Sequence, residues 1–136
     1  MIVVDTSALY AAVDRNEPDH RACTALFQEP PDTLVVPLSV VVETCMLFER
    51  RSGPSAEERF LEAMAESDMT FAPLARGDLR RIAELVRTYR SLPLGAVDAS
   101  IVTVAERTGS STILTLDRRH FGVVRPRHAD SFTLLP

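Results

Sequence analysis

Short β-branched apolar runs alternate along the chain with longer segments whose apolar residues recur at helical spacing. The first run, Ile2-Val3-Val4, stops at Asp5-Thr6-Ser7. That pattern predicts a buried strand, then a helix through Val13 with Thr6 or Ser7 as N-cap. A second helix is expected over residues 18–28, ended by Pro30-Pro31. Residues 34–37 read as the next strand, with Ser39 capping a helix that runs to about Arg51. Gly53-Pro54-Ser55 breaks the pattern. Ser55, with Glu58 three residues on, has the form of a capping box and predicts a helix over residues 56–66. Residues 69–73 form a strand candidate. Leu79, Ile82, Ala83, Leu85 and Val86 make the apolar stripe of a helix reaching Arg90. A further helix spans residues 96–108 and stops at Gly109. Residues 112–116 form a short strand that ends in Asp117, and residues 131–135 add an edge strand.

Strands and amphipathic helices in alternation imply the α/β class, a sandwich of helices around a mostly parallel central sheet of about four or five strands. The whole chain, residues 1–136, reads as one domain, with no repeat and no linker long enough to divide it. Sites in such folds lie beyond the carboxyl ends of the strands. Asp5 and Asp117 both stand at that edge.

Glu43 lies about one turn into the helix after Ser39, among Val40, Val41 and Val42, and Asp98 lies near the start of an otherwise apolar helix. Each acid has an ordinary reading taken alone: a cap, a first-turn charge, a turn residue or a surface carboxylate. Taken together, in apolar neighbourhoods, they would repel one another by about 4 kcal/mol per pair at ~4 Å and an effective dielectric near 20. Such a cluster persists only by binding protons or a cation. Oxygen-only ligands favour Mg²⁺ or Mn²⁺ over Zn²⁺, ions suited to phosphodiester hydrolysis.

Composition narrows the choice further. The net charge of −4 argues against a protein that grips nucleic acid over its whole surface. All fifteen basic residues are arginine, which removes P-loop and phosphoaspartate-receiver chemistry, both of which use a lysine. No G-x-S-x-G elbow is present for a serine hydrolase. His20, His120 and His128 lack metal-ligand spacing and are expected in surface or capping roles. Cys23 and Cys45 are expected as small buried hydrophobes. No secretory signal or membrane-spanning run is visible, so a cytoplasmic protein is expected. Arg118, Arg119, Arg125 and Arg127 make the segment after Asp117 locally basic.

The opening Ile2-Val3-Val4-Asp5-Thr6-Ser7-Ala8-Leu9 resembles the first motif of PIN domains. Val42-Glu43 resembles the acid of the second motif, and Asp98-Ala99-Ser100-Ile101-Val102 the third. Thr115-Leu116-Asp117-Arg118-Arg119-His120-Phe121 resembles the closing T-x-D-x-x-F segment. In order and separation the likeness covers nearly the whole chain, and it is similar to the VapC-type toxins of bacterial toxin–antitoxin pairs. The resemblance implies a Mg²⁺- or Mn²⁺-dependent endoribonuclease that halts translation by cutting tRNA or ribosomal RNA, leaving 5′-phosphate and 3′-hydroxyl ends. It further implies a homodimer and a VapB-type antitoxin whose C-terminal segment reaches the acidic pocket. On the same carry-over Asp5, Glu43, Asp98 and Asp117 hold the metal, directly or through water. Ser7 and Thr115 hydrogen-bond ligand oxygens or metal-bound water, and Arg118 and Arg119 are the best candidates for RNA-backbone contact. The rival is of another class: a PIN-like module that binds RNA or a protein without turnover. Leu47, Phe48, Phe60, Leu61 and Met64 are either core or, in part, a surface for the antitoxin or second subunit.

Overall fold

The computed structural model describes all residues 1–136. Its strands are β1 (Ile2–Val4), β2 (Leu34–Pro37), β3 (Thr70–Ala72), β4 (Thr112–Leu114) and β5 (Thr133–Leu135). They form one sheet in the order β3-β2-β1-β4-β5, and every pairing is parallel. The helices are α1 (Thr6–Val13), α2 (His20–Gln28), α3 (Leu38–Ser52), α4 (Pro54–Ala65), α5 (Arg76–Thr88), α6 (Ala96–Thr108) and α7 (Arg118–Phe121). Every residue of β1 and β2 is buried. Successive side chains of a strand point to opposite faces, so helices must cover both sides of the sheet. The outer strands β3 and β5 are partly exposed, as edges are. No helix is long and apolar enough to cross a membrane.

Helix starts differ from the sequence expectation by a residue or two. Asp5 caps α1, its carboxylate accepting from the Ser7 amide at 3.3 Å. α3 begins directly after Pro37, which frees the Ser39 hydroxyl to pair with Ser100 Oγ at 2.6 Å. Gly53, at φ 84, is the N-cap of α4 and Pro54 its first residue, so Ser55 lies inside the helix and forms no capping box. α2 starts at His20, two residues later than expected. Gly109 closes α6 in the left-handed region at φ 71, as its position suggested. The one-turn helix α7 has no apolar periodicity to announce it; Asp117 caps it and the fully buried Phe121 anchors it.

The core joins β1, β2 and β4 to the inner faces of α1, α3 and α6. Phe48, Phe60 and Met64 belong to it; Phe48 packs on Tyr10 at 4.7 Å and on Phe60 at 5.3 Å between ring centroids. Of the five large residues around Gly53, only Leu61 is well exposed and Leu47 half-buried, so the core account holds for three. Both cysteines are buried and free. On α5 the apolar stripe splits: Ile82 and Leu85 are buried, whereas Leu79 and Val86 are exposed.

Candidate active site

At the carboxyl edge of the sheet a cleft of about 990 Å³ is lined by Asp5, Glu43, Asp98 and Asp117. Four elements supply them. Asp5 leaves the central strand at the N-terminus of α1, and its backbone amide donates to Leu114 O at 2.9 Å, which ties it to β4. Glu43 projects from α3 and Asp98 from the first turn of α6. Asp117 stands between β4 and α7.

Asp5 is 4% exposed. Its Oδ2 accepts from Ser7 Oγ at 2.5 Å and from Thr115 Oγ1 at 2.7 Å. Those hydroxyls are themselves held: Ser7 Oγ accepts from the Leu116 amide and Thr115 Oγ1 from the Asp117 amide, each at 2.9 Å. Burial pushes the Asp5 carboxyl up, and the bonds from Ser7 and Thr115 oppose it. The Asp98 carboxyl is pushed up to about 6, by burial first and then by the Asp5 charge, with Asp117 adding to it; the Gly95 amide and His120 pull the other way. Glu43 is fixed by Thr6, whose Oγ1 donates to Oε2 at 2.6 Å.

The oxygens are unequally engaged. Asp5 Oδ1, Glu43 Oε1 and Asp98 Oδ1 carry no side-chain hydrogen bond. Asp117 is more crowded: Oδ1 accepts from the His120 amide at 2.9 Å, and Oδ2 lies 2.8 Å from His120 Nδ1 without hydrogen-bond alignment. No three of the His, Cys, Asp and Glu side chains close into a finished metal shell. The donor set still suits a hard divalent ion, because buried carboxylates with free oxygens, one of them raised to about 6 by burial and by its neighbours' charge, are relieved by a cation. Mg²⁺ commonly keeps several waters and takes only one or two carboxylates directly.

His120 is where sequence reasoning fell short. It is not a surface histidine. Its Nδ1 is buried and lies 3.3 Å from Asp98 Oδ2 as well as beside Asp117, with neither oxygen in hydrogen-bond alignment. The only signal in sequence was its place three residues after Asp117, the distance of one helical turn. His20 and His128 do meet backbone carbonyls, Ala11 O and Ser110 O, each at 2.8 Å. In the basic segment Arg118 and Arg119 are exposed. Arg118 donates to Pro136 O at 2.6 Å, and Arg127 pairs with Glu84.

An all-parallel sheet of this order, with carboxylates gathered at its carboxyl edge, defines a class that comparison with known proteins identifies. Residues 2–125 match the PIN domain family. Over 135 residues the chain is 38% identical to Ribonuclease VapC26 of Mycobacterium tuberculosis, covering 99% of this chain and 100% of that protein. In fold it is similar to the crystal structure of Mycobacterium tuberculosis VapC20, a Sarcin-Ricin loop cleaving toxin. The TM-score is 0.80 at 19% identity, with 87% of this chain and 91% of that one covered. The chain therefore belongs to the PIN-domain family and, within it, to the VapC ribonuclease toxins.

Proposed function

We propose that this chain is an endoribonuclease dependent on Mg²⁺ or Mn²⁺, the toxin of a toxin–antitoxin pair, which cuts tRNA or ribosomal RNA and so inhibits translation. The observation that carries the proposal is the meeting of Asp5, Glu43, Asp98 and Asp117 in one cleft, with burial and mutual repulsion raising the Asp98 carboxyl to about 6. Asp5 Oδ1, Asp98 Oδ1 and Glu43 Oε1 are the direct ligands in this reading, and Asp117 acts through water and by capping α7. Ser7 and Thr115 orient Asp5, so that its free oxygen faces the cleft. The bound ion supplies Lewis acidity at the scissile phosphate and an activated water at neutral pH. Arg119 binds the RNA backbone beside the acids, with Arg118 as a second contact.

The cleft also suits the antitoxin segment. Leu38, Val42 and Met46, spaced by four residues on α3, are 43%, 60% and 46% exposed and line its wall; Arg50 and Arg51 close the end away from the acids. A peptide with an apolar face and a basic residue directed at the carboxylates complements that order. We assign the chain, as one domain over residues 1–136, to a cytoplasmic homodimer with a VapB-type partner.

The test is incubation of the purified protein with total RNA in Mg²⁺, Mn²⁺ or EDTA, followed by sequencing of fragment ends. Discrete cuts are expected with either metal, none with EDTA, and none from Asp5→Asn. RNA left intact under both metals would return the chain to the class of binding modules.

A further inference from the structure

Three arginines without ion pairs share one face of α5. Arg76, Arg80 and Arg87 fall at i, i+4 and i+11, which at about 100° per residue stacks them along one side of the helix axis, and Arg90 follows in the turn just past its C-terminal end. That side faces away from the core, which α5 meets through Asp78, Ile82 and Leu85. All four arginines are exposed, and none enters an ion pair. From Arg76 to Arg87 the row runs roughly 16 Å. Three like charges in a row repel one another, and a ligand carrying regularly spaced anions relieves that. Guanidinium forks match phosphate oxygens two at a time.

The segment that leaves the acidic cleft packs against the same helix. Beyond Asp117 and Arg119 the chain returns to α5, where the Arg125 amide donates to Tyr89 Oη at 2.9 Å and Arg127 Nη2 reaches Glu84 at 2.6 Å. Glu84 is one turn from both Arg80 and Arg87 on the helix surface. We propose that the arginine face of α5, together with Arg119 and Arg125, is a phosphate-binding track that carries the backbone of a folded RNA to the cleft. The proposal rests on the nuclease reading and deepens it, since it places most of the RNA contact on a helix that supplies none of the four cleft acids. Leu79 and Val86 lie exposed beside the row. An acidic protein partner is therefore the alternative that the experiment must separate.

Fluorescently labelled bulk tRNA is titrated in EDTA, so that nothing is cut, from about 50 to 200 mM KCl. Three proteins are compared: the parent, R76Q/R80Q/R87Q, and R15Q/R21Q/R59Q. The second triple removes the same charge from exposed arginines that also lack ion pairs. Each lost phosphate contact lowers the slope of log K against log salt by ~0.7, so the α5 triple should lose about 2 from its slope. Its binding at the middle of the range should weaken at least tenfold, while the control triple stays close to the parent. Equal losses in the two triples, or none in the α5 triple, overturn the track. So does an α5 triple that binds tRNA normally and no longer captures its antitoxin. A parent that neither binds RNA nor cuts it with Mg²⁺ or Mn²⁺ removes the nuclease reading itself. A parent that cuts RNA while the α5 triple matches it removes only the track.

Discussion

Asp98→Asn should stabilise the metal-free protein. Its carboxyl is raised from 3.8 to about 6 by burial and by the charges of Asp5 and Asp117. A folded-state pKa above the unfolded one means that the native state disfavours the ionised form. The penalty is absent below about pH 4, grows as pH rises from there to the folded value near 6, and is complete by pH 8. Two units correspond to about 3 kcal/mol. The side chain is 22% exposed, so solvent screening reduces this to ~1–2 kcal/mol. Asparagine removes the charge at nearly constant volume and keeps an oxygen for the Gly95 amide, now held at 3.3 Å. In a domain of this size the gain amounts to a rise in Tm of roughly 3–8 °C at pH 8. Thermal unfolding in EDTA at pH 4 and pH 8 reads it: the parent should lose more stability between the two than the variant, in which only the raised Asp5 carboxyl remains of the pair. Saturating Mg²⁺ should reverse the ranking, because an ion at a hundred times its Kd adds about 2.7 kcal/mol to the protein that binds it. An Asp98→Asn protein that is less stable than its parent at pH 8 without metal would refute the account of a repulsive cluster relieved by a cation.

Thr115→Val keeps the shape of a side chain that is 1% exposed but strips Asp5 of a donor and leaves the Asp117 amide without its acceptor; a loss of about 2–3 kcal/mol is expected in urea unfolding, together with weakened RNA cleavage. Gly122→Ala sets a Cβ 2.5 Å from the Arg118 carbonyl oxygen, so α7 must shift; Tm should fall, and cleavage should fall further than the stability change explains because Asp117 moves with the helix. Phe121→Ala empties a fully buried site and should cost about 3–4 kcal/mol by denaturant melting. His120→Ala removes the group between Asp98 and Asp117 that eases their repulsion; the melting temperature in EDTA near pH 6 should fall, while Mn²⁺ binding measured by calorimetry should not weaken.

The architecture was legible in sequence because it is written in local terms. Apolar β-branched runs made β1, β2 and β4 visible, Gly109 marked the end of α6, and the acids stood beside elements that could be located. The separate positions of Asp5, Glu43, Asp98 and Asp117 could be read, but their sharing of one cleft is set by parallel pairing of strands more than a hundred residues apart, as in Ile2 with Thr112. Helix starts shifted by a residue because capping depends on which hydroxyl has a better partner: Ser39 is drawn to Ser100 on α6 and Asp5 supplants its neighbours. His120 acquires its role only when α6 and α7 meet, and the division of α5 into buried Ile82 and Leu85 and exposed Leu79 and Val86 depends on which neighbours reach it. Periodicity reports one residue's relation to its own helix or strand. Burial, ion pairing and proton affinity are set by groups that approach from elsewhere in the chain, and those approaches exist only in the folded structure.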